Sequence, residues 1–320
     1  MADDLFDSEF LARLEYLRIV ARRLFAGTSA GSRSGRRTGP GLEFSEHRAY
    51  VPGDDFRHID WAAFGRLERL LLRLCQQEED LSVYFLMDAS ASMATGRPPK
   101  FDYARRLTAA LGYVGLASLE RVEIFAVSAE GVRGRLAAGR GKSHLLGVLD
   151  FLRRLSCEGP TDLTGAVAAF LPHAAKPGLA ILVSDLFDPA SPSLRRMLRR
   201  RDAVPAQHPA EGRSPAGYER AFLALQANGF EPWCLHVTDR ADLAPDGLGD
   251  LAVEDAETGE TMGVHLGPEM RERLAAEARR FGEEVRAWCT DRGIGYAAAP
   301  TDLAVDALVL DVLRRGGLVR

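Results

Sequence analysis

The stretch Leu81 to Met93, reading LSVYFLMDASASM, constrains this chain more than any other. Val83 to Met87 is an apolar run rich in strand formers. It is too short for a buried helix and stops at a polar cluster, so it predicts a central strand buried on both faces. The run ends in Asp88, Ser90 and Ser92, one carboxylate and two hydroxyls at every second position. Loops that leave the C-terminal ends of strands are where open α/β sheets place their ligands. Hard oxygen donors crowded onto one loop suit Mg²⁺ or Mn²⁺ better than Zn²⁺. On these residues alone the alternative is a polar turn whose serines cap the next helix, because short motifs recur by chance.

Two later segments add to the first. Gly159-Pro160-Thr161-Asp162 supplies a hydroxyl just before a helical stretch, and Ala180 to Asp185 (AILVSD) is a second apolar strand ending in a carboxylate. The set Asp88, Ser90, Ser92, Thr161 and Asp185 resembles the metal-ion-dependent adhesion site of von Willebrand factor A domains. The resemblance implies that the hydroxyls bind a divalent ion, Mg²⁺ or Mn²⁺, that the carboxylates hold it directly or through water, and that one position is left for a partner's acidic side chain. That family often has Gly-Gly-Thr where this chain has Gly159-Pro160-Thr161, a change that leaves the hydroxyl in place.

Upstream, residues 8–25 carry Phe10, Leu11, Leu14, Leu17 and Leu24 at helical spacing with arginines between them, which predicts an amphipathic helix. Residues 26–41 are rich in Gly, Ser and Arg and read as a solvated loop, with an anion or partner site as the alternative. Glu43 to Trp61 (EFSEHRAYVPGDDFRHIDW) predicts a strand with Phe44, Glu46, Arg48 and Tyr50 on one face, then a turn at Pro52–Asp55. Charged residues sharing a face with aromatics imply a packed ionic network, pairing Glu46 or Asp60 with Arg48 or Arg57. An active site is the other reading of the same residues. This string is similar to the signature of a bacterial family called domain of unknown function 58, whose members carry a von Willebrand A-like domain. The likeness extends from about residue 10 to residue 315.

From residue 81 onward strands and helices alternate, which implies a mostly parallel sheet covered on both faces. The expected fold is α/β: a von Willebrand A (Rossmann-like) doubly wound, mostly parallel sheet. A smaller β-rich elaboration comes from the N-terminal segment and a late hairpin. The expected division is residues 1–78, then 79–320 with an insertion at 189–217 and a hairpin at 250–266. Residues 66–78 fit either a helix or a strand, and Gly131 to Gly141 reads as turn. Gly141-Lys142-Ser143 imitates the end of a P-loop, but Leu136 stands where that motif needs glycine.

Net charge of −4 gives no reason to expect nucleic acid, and the absence of an 18-residue apolar run argues against a membrane span. The N-terminus is acidic and has no apolar core, unlike a signal peptide. The four cysteines form no CxxC pair and read as small buried hydrophobes in a reducing cytoplasm. No histidine spacing suits zinc.

The functional expectation is a cytoplasmic, metal-dependent protein–protein interaction module, not an enzyme, with an acidic partner residue completing the ion. The family resemblance implies a MoxR-type AAA+ ATPase as partner, with this chain as adaptor or chaperone component. The rival is a metal-dependent hydrolase of phosphate or other esters. Against it, neither metal-loop motif contains a histidine, lysine or further acid suited to act as base. A third reading is a structural domain with a vestigial site.

Overall fold

The structure is a computed structural model. It describes residues 5–17, 38–39, 43–52, 54–76, 81–118, 120–187, 217–239, 249–257, 259 and 261–314. The segment 188–216, which holds nearly all of the expected insertion, and most of the Arg-rich loop lie outside these residues. The chain divides into two compact units, one of residues 1–24 with 81–319 and the other essentially of residues 25–80.

The larger unit is built on six strands: β4 (Ser82–Asp88), β5 (Arg121–Ser128), β6 (Gly131–Gly139), β7 (Leu179–Ser184), β8 (Glu231–Thr238) and β11 (Gly295–Pro300). Their order in the sheet is β11-β8-β7-β4-β5-β6. All neighbours run parallel except β5 and β6, which form a hairpin. Every residue of β4 is buried, as its uninterrupted apolar run requires. Tyr84 and Leu86 enter one core with Phe125, Phe170, Phe222 and Leu182. The alternate residue Phe85 faces the other way, its ring close to Gly112 of helix α3 (Lys100–Ala117). Each such side chain contributes roughly 1.5–3 kcal/mol relative to exposure, so the strand is pinned from both sides.

On the Tyr84 side lie α5 (Leu163–Phe170), α6 (Gly217–Ala227) and α7 (Pro268–Asp291), which place Val167, Phe222, Val285 and Cys289 in the core. Helix α3 contacts both α4 (Leu145–Arg154) and α8 (Val305–Arg314). Tyr103, Leu107, Leu111, Val114 and Leu116 of α3 are buried, as their spacing predicts. The first helix, α1 over residues 8–17, buries Phe10, Leu14 and Leu17, and Arg13 ion-pairs with Asp306 of α8. The expected continuation to residue 25 lies outside the described residues. A hairpin of β9 (Gly249–Glu254) and β10 (Thr261–Leu266) pairs in register from Gly249↔Leu266 to Glu254↔Thr261.

Gly131 to Gly139 corrects the expected turn: it is the edge strand β6. Its glycine, alanine and arginine content is a weak strand signal, and the strand exists because a tight turn folds it onto β5. Gly131 takes φ +99 at that turn, a conformation that favours glycine. Along β6 half-buried residues alternate with exposed ones, and Arg135 pairs with the buried Glu123 of β5 at 2.6 Å.

The smaller unit holds an antiparallel sheet ordered β1-β3-β2, from β1 (Thr38–Gly39), β2 (Glu43–Ala49) and β3 (Leu71–Gln76). Residues 66–78 therefore divide. Trp61–Leu67 is helix α2, capped by the Asp60 carboxylate accepting from Ala63 N–H at 2.8 Å, and Leu71–Gln76 is strand. The helix ends at Glu68 with φ +53. A register shift between Phe44 and Glu46 breaks the simple period-two face expected for β2. The packed ionic network is also corrected. Arg48 pairs with Asp54 at 2.8 Å and His47 with Asp60 at 2.8 Å, and both pairs reach solvent. The strand and turn are short, and a three-stranded sheet has too little mass to cover them.

Candidate functional site

From β4 the chain moves to β5 and β6 on one side of the sheet. It then returns to β7, β8 and β11 on the other side. The loops after β4 and β7 thus leave in opposite directions, opening the crevice where doubly wound sheets bind ligands. Asp88 is the last residue of β4 and Ser184 the last of β7.

The β4 loop is closely tied down. Asp88 Oδ1 accepts from Ser90 N–H at 3.0 Å, and Asp88 Oδ2 accepts from the Ser184 hydroxyl at 2.5 Å. The Ser90 and Ser92 hydroxyls lie 3.1 Å apart. Backbone bonds join this loop to the one before α5: Ala91 N–H to Gly159 O (2.9 Å) and Glu158 N–H to Ala89 O (2.9 Å). Ala129 N–H, after β5, donates to Pro160 O at 3.0 Å. Thr161 follows directly and is buried, and Asp162 caps α5 through Gly165 N–H. The proline in this loop leaves both backbone bonds intact.

After β7, Asp185 is wholly buried. Its Oδ2 accepts from Lys100 Nζ at 2.6 Å and its Oδ1 from Phe187 N–H at 3.1 Å. Leu186 between them sits at φ +60. That conformation costs a non-glycine residue roughly 1–3 kcal/mol and persists where the surroundings over-determine it. Here the Leu186 side chain is fully buried and its N–H donates to Ser184 Oγ at 2.9 Å.

Burial, and next the neighbouring Asp185 charge, push the Asp88 carboxyl up to about 6 against the hydrogen bonds from Ser184 and Ser90. No ion pair reaches Asp88 among the described residues. His236 of β8 is buried near Asp185. Desolvation brings its imidazole down to about 4, so it is neutral at pH 7, and its Nδ1 lies 3.1 Å from the Tyr296 hydroxyl. Cys157 is half-buried, and burial raises its thiol to about 12, so it is no nucleophile.

The structure thus brings Asp88, Ser90 and Ser92 into one hydrogen-bonded group and sets Asp185 beside it. Thr161 is tied to the group through the backbone, while its hydroxyl donates to Glu257 Oε1 at the tip of the β9–β10 hairpin. Four further residues enter that the motifs did not reveal: Lys100, Ser184, His236 and Glu257. Lys100 carried one signal. It is one of three lysines in a chain with 41 basic residues. Ser184 had a weaker one, as a hydroxyl closing an otherwise apolar strand. Glu257 and His236 had none.

The donors fit a small hard cation. Two oxygens about 3.0 Å apart match adjacent vertices of an octahedron with bonds of about 2.1 Å, the geometry Mg²⁺ demands. The Asp88 carboxylate has about four lone-pair sites and keeps acceptor capacity beyond the bonds from Ser90 and Ser184. Among the described residues no group of three or more His, Cys, Asp or Glu is arranged for a metal. A cation here depends on hydroxyls and water, as Mg²⁺ or Mn²⁺ tolerates and Zn²⁺ does not.

Fold and site together define an α/β protein with a mostly parallel, doubly wound sheet and an oxygen-rich crevice at its switch point. The chain belongs to the family described as "Protein of unknown function DUF58", whose model matches residues 46–284. Uncharacterized proteins of Mycobacterium tuberculosis and Mycobacterium bovis are each 26% identical over 298 residues, covering 91% of this chain and 84% of theirs. Among solved structures, the conserved hypothetical protein BatB of Bacteroides thetaiotaomicron overlays with a TM-score of 0.38 at 15% identity, over 74% of this chain and 98% of that one. An aerotolerance-related membrane protein of Bacteroides fragilis gives 0.35 at 13% identity, over 73% and 99%. Overlays this loose add nothing to the sheet order described above. Among the described residues no helix is long and apolar enough to cross a membrane.

Proposed function

We propose that this chain is a metal-dependent protein–protein interaction module of the von Willebrand A type. Asp88, Ser90, Ser92, Thr161 and Asp185 would hold one Mg²⁺ or Mn²⁺, and a partner's acidic side chain would complete the ion. One observation carries the reading. Asp88 is a buried carboxylate at the switch point, without an ion pair among the described residues, beside two hydroxyls at cation spacing. A buried carboxylate held this way is costly until a cation joins it. Lys100 supplies a charge to Asp185, so an ion bound with Asp88 keeps net positive charge and attracts an acid.

The sheet order, with its antiparallel edge and a site at the ends of β4 and β7, supports the von Willebrand A assignment. A MoxR-type AAA+ ATPase as partner, with this chain as cytoplasmic adaptor or chaperone component, rests on the family resemblance alone. The module is proposed as non-enzymatic. A hydrolase needs a base facing substrate; the nearby Lys100 and His236 are both buried, the lysine bonded to Asp185, and the Glu257 carboxylate is taken up by the Thr161 hydroxyl.

Calorimetry should find one Mg²⁺ or Mn²⁺ site that Asp88→Ala abolishes. A purified MoxR-type ATPase should bind in Mg²⁺ and dissociate in EDTA. Absence of either ion's binding at millimolar concentration would overturn the reading, as would Mg²⁺-dependent turnover of generic phosphoesters by the wild type but not by Asp88→Ala.

A further inference from the structure

We propose that Glu257 is the site's own acidic occupant: from the hairpin tip it docks on Thr161 and fills the position a partner's carboxylate would take. An incoming acidic side chain must then displace the hairpin. This rests on the interaction-module reading and names how the same site is gated.

The contact is specific in its chemistry. Thr161 is buried and is one of the five residues predicted to surround the ion, and its hydroxyl donates to Glu257 Oε1 across 96 residues of sequence. Glu257 is half-buried, although it lies in a turn between two strands, where acidic side chains ordinarily face water. The tip is shaped to deliver it: Glu257 N–H donates to Asp255 Oδ1 at 2.8 Å, and Gly259 N–H donates to Asp255 O at 2.8 Å.

A glutamate brought to a cluster of hydroxyls and buried carboxylates is repelled by those carboxylates. Its presence is consistent with a position that receives acids once a cation is bound. The six register pairs of β9 and β10 hold the hairpin without help from the Glu257 side chain, so the tip can leave the site without the ladder breaking. Detachment gives up the hydrogen bonds that Thr161 donates to the Glu257 carboxylate and leaves the strand ladder whole.

Three measurements on the full chain test this. First, in chelator, methyl NMR should show the Thr161 methyl resonance shifted by Glu257→Ala and unmoved by Glu254→Ala. A Thr161 resonance indifferent to Glu257→Ala overturns the docking itself. Second, Mg²⁺ affinity should fall about three- to tenfold in Glu257→Ala, the loss of one carboxylate ligand. An unchanged affinity shows that Glu257 does not stand at the ion and overturns the proposal. Third, a fluorescent peptide of residues 249–266 should bind the Mg²⁺-loaded Glu257→Ala protein at least tenfold tighter than wild type, where the chain's own glutamate competes. Equal binding to both overturns the gating. The arms separate the two readings. Wild type that binds no Mg²⁺ while the Thr161 methyl still responds to Glu257→Ala overturns the metal module and upholds the docked hairpin. Mg²⁺ binding with an indifferent Thr161 methyl does the reverse.

Discussion

Lys100–Asp185 and Arg48–Asp54 are ion pairs of nearly equal length, 2.6 and 2.8 Å, and they have opposite standing. The first lies at the end of a central strand under two layers of helices, with both side chains almost wholly hidden. The second lies on a short strand and turn of the smaller unit, with the Arg48 side chain about half exposed. Separation says little about what a charge pair does. The backbone around it decides, because removing one partner matters only where water cannot replace it.

The largest effect is expected of Lys100→Ala. It should strand a buried carboxylate and destabilise the larger unit by roughly 3–5 kcal/mol, read from denaturant unfolding. A loss under about 1 kcal/mol would show that water already reaches Asp185.

His236 comes next. Its imidazole ordinarily titrates at 6.5 and here at about 4. Between those values the unfolded chain takes a proton that the fold refuses. Stability therefore falls as pH drops through the window, by up to roughly 3 kcal/mol, and is unaffected above it. Asp88 acts in the opposite sense. Between its ordinary 3.8 and about 6 the fold holds a proton that the unfolded chain releases, so its destabilising contribution grows as pH rises. His236→Gln should flatten the acid limb relative to wild type across pH 4–6.5. Parallel limbs would mean that the histidine is hydrated.

The smallest effect belongs to Arg48→Ala, whose melting curve should overlay that of wild type within error. A clear fall in melting temperature would restore the packed network that the sequence implied for this segment.

The alternation of strand and helix was legible because each element needs only its own neighbours: a solid apolar run for β4 and β7, helical spacing for α3. The oxygen donors were legible because three of them occupy five consecutive residues. What escaped was long-range or context-made. Lys100 meets Asp185 across 85 residues, and Ser184 meets Asp88 across 96. No local pattern records such meetings. The edge strand β6 escaped because glycine and alanine carry little strand preference and its pairing with β5 creates it. The burial expected around Arg48 failed for a related reason: a string dense in charged and aromatic residues specifies partners, and a sheet of three strands cannot also supply cover.

The backbone bonds that stitch residues 89–91 to 158–159, and residue 129 to 160, carry one further implication. Three crevice loops are cross-linked by main chain, so most of the spacing among their side chains is fixed when the domain folds and not when a guest arrives. A ligand entering such a frame surrenders its own freedom but demands little ordering from its host. For the ion site proposed above, selectivity would come from this rigidity: beneath the movable hairpin, an ion of the wrong radius meets oxygens whose spacing the main chain has already set.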